Sequence, residues 1–89
     1  MKHLQTSLRE AAQTETLITN LTRSVELLNF EIDAVEERAL VRDLSDPAYP
    51  ILARDLRTRR ENLKETIAAL RARVGKERAS GIYSISLAG

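Results

Sequence analysis

Few residues in this 89-residue chain could do covalent or acid–base chemistry, and they lie apart. There is no cysteine, which removes a thiolate nucleophile, a disulfide and a cysteine zinc site. The single histidine, His3, stands alone near one end; a triad or a histidine metal site would need groups from another chain. No glycine-rich phosphate loop occurs, no nucleophile sits beside a base, and no His/Asp/Glu cluster has metal-ligand spacing. The neighbouring carboxylates Glu36 and Glu37 read as members of a solvated helix face. The expectation is a protein with no enzymatic activity, no cofactor, no metal and no small-molecule substrate.

What remains is charge and apolar spacing. Lys and Arg number 14 against 13 Asp and Glu, a net charge of +1 that gives no global pull toward nucleic acid or membrane. The distribution is uneven. Residues 1–46 carry 5 basic and 9 acidic side chains, residues 47–89 carry 9 basic and 4 acidic. In the second half the basic residues spread around a helix and are interrupted by Asp55, Glu61 and Glu65. A nucleic-acid surface would need a one-sided stripe with stacking aromatics, so nucleic acid is an alternative and not the favoured partner. Arg71, Arg73, Lys76 and Arg78 form a candidate anion contact, because their expected neighbourhood on the first helix is not acidic.

The elements that position these groups are helical. Neither glycine nor proline precedes Pro47, and Ile18, Leu21, Val25, Leu28, Ile32, Val35 and Ala39 step by three and four, an a/d heptad. Ser7 to Glu10 has the form of a capping box. The stretch Leu44-Ser45-Asp46-Pro47-Ala48-Tyr49-Pro50 stops the helix. Ser45 or Asp46 can cap the second helix, with Pro47 at its first position or Pro50 delaying the start. A second heptad runs Ala53, Leu56, Arg60, Leu63, Ile67, Leu70 and Val74.

Two long helices on a short connection lie antiparallel, and facing residues then carry numbers summing to about 92. That rule pairs Val74 with Ile18, Ile67 with Val25, Leu63 with Leu28 and Ala53 with Ala39. Arg60 falls in the seam, its stem packed and its guanidinium reaching a carboxylate among Glu31, Asp33 and Glu36. The fold expected is an all-α antiparallel two-helix coiled-coil hairpin over residues 1–79. Its helix 1 covers about 4–43, the turn 44–49 and helix 2 about 50–77. Residues 80–89 form a flexible or strand-forming tail, since Tyr83, Ile85 and Leu87 alternate with serines; these three are a candidate tail contact. A second helix ending near residue 77 would also leave Leu4, Leu8, Ala11 and Ala12 as an uncovered overhang.

Leu27, Phe30, Ala34, Val41 and Leu44 form a second apolar stripe nearly opposite the seam. A two-helix hairpin has one inner face, so this stripe reads as a protein interface. A core this small rarely supplies more than ~3–5 kcal/mol, and an oligomer or a permanent partner is expected. The function expected is a non-catalytic protein-interaction module, an adaptor or small assembly chaperone. The alternative is a structural subunit of a virion, appendage or secretion machine. No apolar run approaches the ~18 residues of a membrane span, and Met1–Ser7 lack a signal-peptide core, so a cytoplasmic location without membrane is expected. Over residues 1–77 the layout resembles, in architecture alone, the helical-hairpin chaperones that accompany needle subunits in type III secretion. That resemblance implies protein binding and carries no residue correspondence.

Overall fold

The computed structural model describes the backbone of residues 2–88 and the side chains of residues 8–76. Two helices, α1 (Lys2–Ala39) and α2 (Ile51–Ala88), each of 38 residues, form an antiparallel hairpin 62 Å long and 19 × 14 Å across. A straight 38-residue helix spans about 57 Å, so the length of the molecule is the length of its helices. The all-α hairpin expected from the heptads is the fold that forms.

The seam follows the spacing rule. Leu28, Ile32 and Leu56 make the buried core, with Val35 and Leu63 packed against it. Ala53, Ile67 and Val74 are buried as well, and Ile18 lines one groove together with Val74. Arg57 on α2 meets Glu36 on α1, within one residue of the expected register. Ala39, the last residue of α1, is exposed, whereas Ala53, expected opposite it, is buried.

Three boundaries differ from the sequence reading. α1 ends at Ala39, not 43, because Leu40 adopts the left-handed conformation with φ 59°. The Leu40 amide donates to the Glu37 carbonyl (3.2 Å) and the Val41 amide to the Glu36 carbonyl (3.3 Å), the paired bonds of a Schellman cap. No glycine marks the stop, which is why the apolar spacing through Val41 and Leu44 read as more helix. The connection therefore covers residues 40–50. Within it the Asp43 carboxylate accepts from the amide and hydroxyl of Ser45, and the Asp46 carboxylate accepts from the Ala48 amide. Asp46 thus caps a single turn around Pro47. Pro50 ends that turn, since the residue before a proline avoids the helical region, and α2 starts at Ile51.

At the far end, α2 runs to Ala88 where an extended tail over 80–89 was expected. A lone strand leaves its backbone groups unpaired, whereas a helix pairs them within the segment. The overhang expected at Leu4, Leu8, Ala11 and Ala12 is covered at Ala11, which is buried alongside an α2 as long as α1. Leu8 and Ala12 remain exposed. The side chains of Leu4, Tyr83, Ile85 and Leu87 lie outside the described residues.

α1 carries a run of Thr and Ser between residues 14 and 24. Thr14, Thr16, Thr19, Thr22 and Ser24 each donate to the carbonyl four residues back. These bonds keep short polar side chains within the helix at some expense of helix propensity, so this half of α1 depends on the seam.

Candidate interaction surface and the buried latch beside it

The outer face of α1 carries the apolar residues that the seam cannot use. Leu27, Phe30 and Ala34 follow one another at three and four residues, and all are exposed; Phe30 is 79% accessible. Val41 and Leu44, expected on the same stripe, lie beyond the end of α1. Val41 is half-buried under the helix cap. Leu44 is exposed on the connection, where its carbonyl accepts from Arg54 Nη2 at 3.0 Å. The stripe is therefore Leu27–Phe30–Ala34 on the helix, with further exposed apolar side chains at the tip: Leu40 at 90%, Ile51 and Leu52.

Sequence reasoning missed what holds the tip together. Glu36, read as a solvated carboxylate, is 2% accessible, the only buried charged residue among those described. Its Oε2 accepts from the Tyr49 hydroxyl at 2.8 Å and from Arg57 Nη2 at 2.8 Å. Arg57 Nε in turn donates to the Tyr49 oxygen at 2.6 Å. Carboxylate, phenol and guanidinium thus close a triangle that joins the last turn of α1, the connection and α2. Arg42 Nη1 stands 3.7 Å from the other carboxylate oxygen. The buried Tyr49 ring lies beneath the Arg54 and Arg57 guanidiniums, 5.5 and 5.8 Å from its centre, at cation–π distance.

Burying a carboxylate is unfavourable unless it is paired and hydrogen-bonded, and here it is both. Hydrogen bonds from Arg57 and then Tyr49 hold the Glu36 carboxyl below its ordinary range against the opposing effect of burial, with the charges of Arg57 and Arg42 adding to them. The same bond to Glu36 raises Arg57. A signal was present in the sequence. Glu36 follows Ile32 by four, and the rule that facing numbers sum to about 92 sets Arg57 opposite it.

Arg60 occupies the seam as expected, but its guanidinium reaches Glu61 on its own helix (3.2 Å) and Asn29 across the seam (2.9 Å). Glu31, Asp33 and Glu36 are not its partners; the shorter reach to Arg57 claims Glu36, and Arg42 lies 3.6 Å from Asp33. At the other end Arg71 shares one open groove with Glu15 and another with both Arg23 and Glu26, so α1 presents both signs of charge to it. Arg73 and Lys76 are exposed, and the side chain of Arg78 lies outside the described residues. Among the described residues no group of three His, Asp or Glu side chains could hold a metal ion, and no helix is long and apolar enough to cross a membrane. No family model, curated protein or solved structure matches this chain.

Proposed function

We propose that this hairpin is a non-catalytic protein-interaction module, an adaptor or small chaperone-like subunit acting in the cytoplasm as part of an oligomer or complex. The observation that carries the reading is the exposed Leu27–Phe30–Ala34 stripe on the face of α1 that α2 cannot reach. Burying a Leu or Phe side chain is worth roughly 1.5–3 kcal/mol, a large fraction of the stability available to a two-helix core. Leu40, Ile51 and Leu52 are further exposed apolar side chains at the tip. The Glu36–Tyr49–Arg57 latch supports the same reading, because it keeps the tip fixed while leaving the outer face free.

Photo-crosslinking tests this. A benzophenone amino acid replaces Phe30 in one variant and the exposed Ala68 of α2 in another. An interaction module should give a discrete product in cells from position 30 and none from position 68, lost when Leu27→Glu is added. Equal, diffuse labelling from both positions would overturn it.

A further inference from the structure

A cavity of about 430 Å³ opens to solvent beside the latch, between the connection and α2, within the size range of small-molecule sites. Leu44 walls it on the connection side, while Arg54, Arg57, Arg60 and Glu61 bring charge to it from α2. Each guanidinium is held in place by bonds already described: Arg54 Nη2 to the Leu44 carbonyl, Arg57 to Tyr49 and Glu36, Arg60 Nε and Nη1 to Glu61 and Asn29. A guanidinium carries five N–H groups, so Nη1 of Arg54, Nη1 of Arg57 and Nη2 of Arg60 have no acceptor among the described residues. The Arg54 and Arg57 charges stand over one ring, that of Tyr49. Arg57 has Glu36 as its counter-charge, but Arg54 has no ion-pair partner among the described residues. Glu61 is the only carboxylate in the lining, and Arg60 and Lys64 share it. The other carboxylates nearby are turned elsewhere: Asp33 to Arg42, Asp43 to Ser45 and Asp46 to Ala48. Three arginines against one glutamate leave the lining with an excess of two positive charges.

We propose that this cavity binds a phosphate monoester carried on an apolar group. Near neutral pH such a phosphate is largely a dianion, which matches that excess. Its oxygens accept from the unused N–H groups, the charge-assisted contacts that guanidinium forks make best, and its apolar group packs on the exposed Leu44 side chain. None of the lining residues belongs to the Leu27–Phe30–Ala34 stripe, so the site stands or falls independently of it.

NMR of the full chain, titrated at constant ionic strength with phenyl phosphate, benzoate and benzyl alcohol, tests the site. Phenyl phosphate should give saturable shifts at the Leu44 methyls and at the Nε–H signals of Arg54, Arg57 and Arg60, with a Kd of about 1 mM for a site open to water. Benzoate, with one charge, should bind about tenfold more weakly, and benzyl alcohol should shift nothing. Arg54→Gln should weaken phenyl phosphate about tenfold. Glu61→Gln removes the opposing charge of the lining and should tighten binding about two- to fivefold. Arg59→Gln, an exposed position of α2 outside the cavity, should leave it within about twofold. Benzoate binding as tightly as phenyl phosphate would overturn the phosphate as ligand. Equal weakening by Arg59→Gln and Arg54→Gln, weaker binding to Glu61→Gln, or no saturable shifts at all would overturn the site.

Discussion

Replacing Glu36 by Gln preserves the shape of the buried latch and removes its charge. The amide oxygen can take the place of Oε2 and still accept from the Tyr49 hydroxyl and Arg57 Nη2, both 2.8 Å away. The change is one of strength. A hydrogen bond involving an ionised group contributes about 1.5–3 kcal/mol, a neutral one about 0.5–1.5. Two such bonds are weakened, and the relief of not burying a charge offsets part of the loss. The net destabilisation should be about 1–2 kcal/mol, a fall in melting temperature of about 5–10 °C for a chain of this size.

The pH dependence sharpens the test. The Glu36 carboxyl is held below its unfolded value, by Arg57 first and Tyr49 second. Its contribution is therefore complete above the ordinary glutamate range and is lost as pH falls through the lowered folded value. Asp43 is also held low, by the amide and hydroxyl of Ser45, but it is present in both proteins and drops out of the difference. Thermal melts followed by circular dichroism should show the full gap at neutral pH, narrowing only in acid below the ordinary glutamate range. Equal melting temperatures at neutral pH, or a gap that persists undiminished in strong acid, would refute the latch.

The same geometry sets three further outcomes. Leu40→Gly should stabilise the hairpin by about 0.5–1 kcal/mol, the relief of a left-handed residue less the extra chain entropy of glycine. Leu40 is 90% accessible, so little packing is lost; destabilisation in urea titrations would mean that its side chain is held by a contact. Phe30→Glu should leave the stability of the dilute protein within about 0.5 kcal/mol of native, as for other exposed positions; a larger loss would show Phe30 to be part of the core. Cysteines at Val25 and Ile67 should form a disulfide within one chain at high dilution. Products between chains alone would indicate an extended or exchanged helix in place of the hairpin.

The hairpin was legible because the apolar side chains repeat at three and four residues in both halves, and a connection this short leaves one register. Ile32, Leu56 and Val74 are buried where that register places them. The end of α1 was not legible, since its stop is made by Leu40 in a conformation that glycine usually supplies. The latch was only half legible. Heptad counting sets Arg57 opposite Glu36, but the bridge depends on Tyr49, which the turn at Asp46 and Pro47 carries beneath the guanidinium. The stripe was legible for Leu27, Phe30 and Ala34 and over-extended for Val41 and Leu44, because spacing persists past the point where the helix ends. At the C-terminal end, alternation of serine with Tyr83, Ile85 and Leu87 suggested a strand. Without a neighbouring strand to pair with, that pattern does not outweigh the local hydrogen bonds of a helix.

Phe30 is the only phenylalanine in the chain, so incorporating 4-fluorophenylalanine places a single fluorine resonance at the centre of the stripe. Its shift between light and heavy water reports directly whether solvent reaches the ring. A dilute sample should show a full solvent isotope shift, as the exposure of Phe30 requires. When the protein is concentrated, the resonance should move and lose most of that sensitivity as the stripe is covered. A resonance already insensitive to solvent in the dilute protein, or one that keeps its full sensitivity at every concentration and in cell extract, would contradict the claim that this face is built to be covered.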